Sequence, residues 1–175
     1  VFWGLDAGLA RKRHFPAINW LNSYSLYPQS LNQWFRDNIA SDFPEVRTEI
    51  SALLKVEAEL QEIVQLVGSD ALPIDQQLIL EVARMIREYF LQQNGFDPVD
   101  AYSGVEQQYA MAKAILTFQN EAKKAMAAGA RLQDVVNVPS RTELMRARFA
   151  EGYLENIGGL VEDMVGEITG TVEAN

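Results

Sequence analysis

The 175-residue sequence contains no cysteine and a single histidine, His14. The absence of cysteine excludes disulfides and thiolate metal sites, and it suits a reducing compartment. One histidine cannot build a histidine-rich metal site, and a lone histidine is more often structural or exposed than catalytic. We therefore predict neither a metal site nor a catalytic residue in this chain.

Phosphate-binding motifs are also missing. The sequence has no G-x-x-x-x-G-K-[ST] loop and no G-x-G-x-x-G opening a helix after a strand, the two motifs that hold nucleotide phosphates. Its acidic residues lie mostly on predicted helix faces, where a solvated surface is the default. No pair of them has the spacing of an acid–base dyad. The chain by itself is therefore expected to be inactive as an enzyme.

Positive charge is scarce, since 15 Lys and Arg residues stand against 24 Asp and Glu residues, for a net charge of −9. This balance argues against binding to nucleic acid and to anionic membrane surfaces, because both need concentrated positive charge. No apolar run approaches the roughly 20 residues needed to cross a bilayer. We expect no nucleic-acid partner and no direct membrane insertion.

The apolar content is high enough, at 48%, for a packed core. The sequence begins at Val1 in the middle of a pattern, so we expect a cut end rather than a natural start. A short helix is predicted over residues 3–12. Residues 15–28 are aromatic and rich in Asn and Ser without a helical period, which indicates an ordered loop. A second short helix is predicted over residues 31–39.

A helical hairpin with a polar tip is the clearest feature of the sequence. Asp42 and Glu45 form a predicted capping box at the start of its first helix. That helix ends at Gly68, which can adopt a positive φ without steric cost. A second helix begins after Pro73 and runs to about Asn94. The short connection predicts that the two helices lie antiparallel.

The remaining sequence predicts two more helices. The first spans residues 104–128, and a connector follows over residues 131–138. The last helix spans residues 140–172 and begins with a capping box of Ser140 and Glu143. No strand pair is evident in residues 29–175, which predicts an all-α fold.

Three glycines of the last predicted helix recur every seven residues, at positions 152, 159 and 166, and would therefore share a face. Two interpretations remain open. The glycines allow close packing against a neighbouring helix or partner, or they mark a poorly ordered tail, because each glycine costs a helix about 0.8–1 kcal/mol relative to alanine.

The segments RKRHFPAINWL, LQEIVQLVG and FLQQNGFDPVDAY closely resemble the C-terminal part of the catalytic A subunit, or alpha chain, of archaeal A-type and vacuolar-type rotary ATPases (V-type ATP synthases). The resemblance covers most of the chain and weakens after about Ala128. It implies a C-terminal helical bundle over residues 29–175. Residues 1–28 would be the C-terminal edge, or remnant, of an α/β nucleotide-binding domain.

The resemblance also implies an adenine pocket. Phe15, in the HFP segment, would stack on the base of ATP or ADP, and Phe96 would close its other side. Phe90, Gln92 and Gln93 are weaker candidates nearby. Without the resemblance, ordinary core packing would be the better interpretation of both phenylalanines. Mg-ATP or Mg-ADP would be bound by the full-length subunit, and we expect no tight nucleotide binding by this fragment.

The tip of the hairpin corresponds to an acidic motif that touches the rotating central stalk in related F-type subunits. Here the tip has only two acidic residues, Asp70 and Asp75, together with the apolar Leu72 and Ile74, which we expect to be exposed. This departure predicts a mixed apolar and acidic rotor contact. The alternative is a solvated turn without a partner.

The function implied by the resemblance is ATP synthesis or hydrolysis coupled to proton or sodium-ion transport. The expected partners are the non-catalytic B subunit, in an alternating hexamer, and the central stalk. The expected location is cytoplasmic and peripheral to the membrane. The alternative is a free-standing acidic helical protein-interaction module without a nucleotide role.

Overall fold

The structure, a computed structural model, describes residues 1–173. It begins with a small antiparallel pair of strands, β1 (Phe2–Leu5) and β2 (Ile18–Tyr24), which flank the short helix α1 (Ala7–Arg11). Asp6 begins α1, because its Oδ1 accepts hydrogen bonds from the backbone N–H groups of Gly8 (2.6 Å) and Leu9 (3.1 Å).

The predictions for this region were partly wrong. The helix predicted over residues 3–12 is confined to residues 7–11, because the cap at Asp6 requires extended backbone before it. The loop predicted over residues 15–28 contains β2 instead. Two short strands stabilise each other by pairing, and neither has a pattern strong enough to be recognised alone.

The helical part begins with α2 (Pro28–Asn38) and the long helix α3 (Phe43–Val67). The predicted capping box at the start of α3 is absent. The Asp42 carboxylate instead accepts hydrogen bonds from Tyr109 Oη (2.7 Å) and from Lys113 Nζ. Glu45 forms an ion pair with Arg36 of α2. Asp42 therefore contacts residues distant in the chain, and Glu45 contacts the preceding helix α2, instead of capping α3.

The predicted hairpin is confirmed. Gly68 ends α3 with a φ of +85°, and its N–H donates to the carbonyl oxygen of Val64. A single 3₁₀ turn (Ser69–Ala71) leads into α4 (Ile74–Met85), which packs against α3. Residues Ile86–Leu91 continue α4 as a π-helix, which we call the π segment. The helical run thus ends at Leu91, three residues before the predicted end.

Four helices follow a 3₁₀ turn at Asp100–Tyr102. They are α5 (Val105–Ala127), α6 (Leu132–Val136), α7 (Pro139–Ala147) and α8 (Tyr153–Glu173). The connector predicted over residues 131–138 therefore contains a short helix. The long helix predicted over residues 140–172 is two helices.

Gly152 lies at the break between α7 and α8, with a φ of +71°. It therefore cannot share a helix face with Gly159 and Gly166, contrary to the prediction. A Cβ added to either of those two glycines would meet no atom within 4 Å, so neither packs closely against another part of the described chain. α8 itself is a regular helix to Glu173, which is also contrary to a poorly ordered tail.

The predicted capping box of Ser140 and Glu143 is replaced by a contact between helices. Both the backbone N–H and the hydroxyl of Ser140 donate to Glu167 Oε2 of α8, at 3.0 and 2.6 Å. This contact holds the start of α7 against α8.

The core is centred on α5, which contacts α3, α4, the π segment, α6 and α8. Its innermost apolar side chains are fully buried and come from almost every helix; they include Leu78, Val82, Met85, Ile86, Ile115, Phe118, Val135, Leu144, Met164 and Ile168. The all-α fold is confirmed for the described part of residues 29–175. The assignment of residues 1–28 to a nucleotide-binding domain stays a prediction.

Candidate functional site

The N-terminal strands dock on the helical domain at the end of the π segment. The ring nitrogens of the buried His14 lie 3.3 Å from the carbonyl oxygen of Pro16 and 3.2 Å from that of Arg87 in the π segment. The His14 ring also packs against Trp20 of β2. His14 is therefore a structural residue that joins the two parts of the molecule.

Phe15 follows this docking residue and lies beside the loop that leaves the π segment. Its carbonyl oxygen accepts a hydrogen bond of 2.6 Å from the N–H of Gln93. Its ring touches Gly95 so closely that a Cβ added there would lie 3.2 Å from a ring carbon. The absence of a side chain at Gly95 thus lets the loop approach the ring.

Both predicted adenine-binding phenylalanines are exposed. Phe15 is 56% exposed and Phe96 is completely exposed. Because Phe96 follows Gly95 directly, the structure brings the two predicted residues to the same place on the surface. Core packing, the alternative interpretation, is wrong for both rings.

The three weaker candidates make contacts of their own with the helical domain or within the loop. Phe90 is partly buried against the main core. The carbonyl oxygen of Gln92 accepts a hydrogen bond from Arg148. The side-chain amide of Gln93 donates to the carbonyl oxygen of Asp100, at 3.0 Å. Phe90 also lines a cavity of about 190 Å³ behind the loop.

The loop over residues 92–102 is fixed by its own acidic and amide side chains. Asp97 Oδ1 accepts from the N–H groups of Val99 and Asp100, both at 2.9 Å. Asn94 Oδ1 accepts from the N–H of Phe96 at 3.1 Å. These short-range bonds form the turn that presents the Phe96 ring outward.

Two further residues that the sequence analysis missed are Asp100, on the buried side of this loop, and Arg148. Asp100 is buried, and its Oδ2 accepts a hydrogen bond of 2.6 Å from the N–H of Asn94. The guanidinium of Arg148 lies close to Asp100, with Nε 3.7 Å from Oδ1. Burial lowers the pKa of Arg148, and the charges of Asp100 and Asp97 oppose that shift. No local pattern could have indicated this pair, because its members are far apart in the sequence.

The hairpin tip differs from the prediction at one residue. Asp70, Asp75 and Ile74 are exposed as expected, but Leu72 is only 7% exposed. The prediction that Leu72 is available to a partner is therefore wrong. The N–H of Leu72 donates to the carbonyl oxygen of Ser69 within the 3₁₀ turn, and the Leu72 side chain is buried at that turn.

Other apolar side chains are exposed beside the tip, at the C-terminal end of α3. Leu66 is 85% exposed, and Ile63 and Val67 are also exposed. With Ile74 they form what we call the tip patch: Ile63, Leu66, Val67 and Ile74. The apolar part of the tip is thus supplied by the end of α3 and the start of α4.

Within residues 1–173 there is no cluster of three or more potential metal ligands. No helix in the same range combines the length and the apolar character that a membrane crossing requires.

The family model for the C-terminal domain of V and A type ATP synthase matches residues 32–136. The chain belongs to this family. The match extends from α2 to α6 and includes the whole hairpin and the loop that carries Phe96. The resemblance identified from the sequence is therefore confirmed.

Individual relatives extend the similarity beyond the family match. The chain is 52% identical, over 94% of its length, to the A subunit of the A-type ATP synthase of Methanosarcina barkeri. It is 52% identical over 86% of its length to V-type ATP synthase alpha chain 1 of Clostridium tetani. It is 46% identical over 99% of its length to the first A subunit of the A-type ATP synthase of Methanospirillum hungatei.

These alignments cover 28%, 26% and 30% of the three relatives, so the chain spans less than a third of the length of the proteins it matches. Family membership therefore concerns the C-terminal domain alone.

Proposed function

We propose that the chain is the C-terminal part of the catalytic A subunit of a rotary ATP synthase, where it contributes the adenine pocket and couples the nucleotide state to the central stalk. The observation that carries this proposal is the contact between the exposed ring of Phe15 and Gly95, the residue that directly precedes the exposed Phe96 in the loop after the π segment. Membership of the ATP synthase family supplies the reaction to which such a site would belong.

The adenine base would lie against the rings of Phe15 and Phe96. Stacking on an aromatic ring contributes about 1–3 kcal/mol per base and requires no contact with the phosphates. The phosphates and Mg²⁺ would be held by the remainder of the subunit, together with the neighbouring B subunit of an alternating hexamer. This chain alone would bind ATP or ADP weakly.

Coupling would run through the hairpin. The loop that carries Phe96 leaves the π segment, and the π segment continues α4 without a break to Ile74 at the tip. Closure of the loop on the base would therefore move the hairpin as a nearly rigid body against the stalk. The rotor contact would consist of the tip patch together with Asp70 and Asp75, with Leu72 serving as internal packing.

The complex would lie on the cytoplasmic side of the membrane, peripheral to it, and would move protons or sodium ions while ATP is made or hydrolysed. The alternative of a free-standing interaction module predicts that the gene encodes no phosphate loop. A G-x-x-x-x-G-K-[ST] motif within a few hundred residues upstream would contradict that alternative.

The test of the adenine site uses the full-length subunit. Phe15→Ala and Phe96→Ala should each weaken ATP binding about tenfold, a change that corresponds to about 1.4 kcal/mol of lost stacking. Binding of inorganic tripolyphosphate should stay the same, because it has no base. Isothermal titration calorimetry measures both affinities.

Tyr102→Ala provides the matched control, since Tyr102 is another exposed aromatic residue and lies at the far end of the same loop from the Phe15 contact. It should leave both affinities unchanged. Unchanged ATP affinity in the two phenylalanine variants would show that the stacking role is wrong.

A further inference from the structure

Arg148 reaches from the end of α7 to the end of the π segment. One nitrogen of its guanidinium, Nη1, donates to the carbonyl oxygen of Glu88 at 2.7 Å and also to that of Gln92. The side chain is 14% exposed, so most of it is buried. A residue from the C-terminal helices thus contacts the point from which the loop with Phe96 departs.

The Glu88 carbonyl needs this donor because of how the π segment ends. Its last regular bond runs from the N–H of Gln92 to the carbonyl oxygen of Arg87, at 2.8 Å. The next N–H, that of Gln93, donates to Phe15 rather than back to Glu88. Carbonyl groups at a helix end require partners from elsewhere, and Arg148 supplies one. Phe15 and Arg148 therefore complete the two sides of the same helix end.

A second contact ties Arg148 to the loop itself. Its Nε lies 3.7 Å from Oδ1 of the buried Asp100. Asp100 in turn accepts from the N–H of Asn94, and its carbonyl oxygen accepts from the side chain of Gln93. The start of the loop is thus bound to Asp100 near its end. A buried carboxylate requires a compensating charge, which Arg148 provides.

We propose that Arg148 is a positioning residue of the adenine site, which holds the loop over residues 92–102 so that Phe96 faces the same base as Phe15. It acts through Asp100 and through the carbonyl oxygens of Glu88 and Gln92, without touching the nucleotide. This inference rests on the proposed function. It also makes the junction of α7 and α8, which lies outside the residues matched by the family model, a part of the site.

The test compares Arg148→Met with Arg141→Met in the full-length subunit. Arg141 is the matched control, because it is a buried arginine of the same helix whose guanidinium donates to Glu81 (2.6 Å) and to the carbonyl oxygen of Val136 (2.7 Å), away from the loop. Arg148→Met should lower the affinity for ATP about tenfold and leave that for inorganic tripolyphosphate unchanged. Arg141→Met should change neither affinity, although it will lower stability.

Arg148→Lys is a second variant that keeps the charge. The single ammonium group of lysine cannot reproduce the geometry of the guanidinium, so we expect the affinity for ATP to fall about threefold while that for tripolyphosphate stays the same. This variant decides the question if Arg148→Met does not fold. A base-specific loss that is graded from Lys to Met would support the positioning role.

Two outcomes would overturn the inference. Equal losses of ATP and tripolyphosphate affinity would indicate general damage, and normal ATP affinity in a folded Arg148 variant would show that the loop does not depend on it. A different result would contradict the proposed function itself, namely unchanged ATP affinity in Phe15→Ala and Phe96→Ala. If those variants lose affinity and the Arg148 variants do not, only the role of Arg148 is wrong.

Discussion

Leu72 and Leu66 lie close together in sequence at the end of the hairpin, and the structure assigns them opposite roles. Leu72 is 7% exposed, whereas Leu66 is 85% exposed. Leu72→Ser should therefore destabilise the fold, and Leu66→Ser should leave its stability nearly unchanged. In the full complex, Leu66→Ser should weaken binding to the stalk more than Leu72→Ser does, since Leu66 belongs to the tip patch proposed to contact the stalk.

The magnitude follows from burial. Exposing a buried leucine costs about 1.5–3 kcal/mol in transfer free energy, and the cavity left behind adds to that cost. Leu72 lies outside the main core cluster, so the site can relax and the lower part of the range applies. We expect a loss of about 2 kcal/mol for Leu72→Ser. For a domain of this size, that loss lowers Tm by about 4–8 °C.

Urea unfolding of this chain, followed by circular dichroism, measures both variants. Leu66→Ser should fall within about 0.5 kcal/mol of the unaltered chain, as is usual for surface substitutions. Binding of the full-length subunit to the stalk should then weaken with Leu66→Ser. Equal destabilisation by the two substitutions would refute the assignment of Leu72 to the interior, and normal stalk binding by Leu66→Ser would refute the role of the tip patch.

Two further predictions concern stability. Burial raises the pKa of Tyr153 to about 12, while the unfolded chain keeps an ordinary value near 10, so the contribution of this residue is complete below pH 10 and is lost as the pH rises towards 12. Below about pH 10, Tyr153→Phe should lower the free energy of unfolding by about 1 kcal/mol, because the hydrogen bond to Gln107 is lost. At about pH 11, urea unfolding should show no difference in stability between this variant and the unaltered chain. A difference that stays the same at both pH values would contradict the raised pKa. Gly68→Ala should lower the free energy of unfolding by about 1–3 kcal/mol, because φ is +85° at this position. Gly158→Ala should raise the free energy of unfolding by about 0.8–1 kcal/mol, because Gly158 lies within α8 with open space around its Cα. Equal effects of the two substitutions in the same assay would contradict both assignments.

The helices of residues 29–173 could be predicted largely because their signals are local. The hairpin was predicted from a glycine that ends the first helix and from a proline that precedes the second, and Gly68 does adopt the positive φ that this role requires. The strands β1 and β2 were missed because short strands are defined by their pairing.

The break between α7 and α8 could not have been placed from the sequence. Gly152 has a positive φ, but Gly158, Gly159, Gly166 and Gly170 lie within a regular helix. Nothing in the local pattern separates the one from the others, because packing against α5 stabilises α8 despite its glycines.

The candidate site was predicted only in part for a similar reason. Phe15 and Phe96 came from the resemblance to rotary ATPases, and in the structure the ring of Phe15 lies against Gly95, the residue before Phe96. Arg148 and Asp100, which support the loop beneath them, are related only through the tertiary fold.

The arrangement of the hairpin limits how a nucleotide could act on the stalk. α4 and the π segment together span Ile74–Leu91, which at about 1.5 Å per residue is roughly 25 Å. A tilt of about 10° at the loop end would therefore move the tip by roughly 4 Å. Such a tilt would be opposed by the ion pair between Glu57 of α3 and Arg87 of the π segment, which joins this continuous helix to α3 and in which Glu57 is buried.

In the proposed mechanism the two helices of the hairpin would move together, about the segments without α-helix that connect them to the rest of the domain. These are residues 39–42 before α3 and residues 92–104 after the π segment. The second of them carries Phe96 and is held by Asp100 and Arg148. In the proposed mechanism the base thus binds to the hinge itself, so that ordering the hinge and setting the angle of the hairpin are one event.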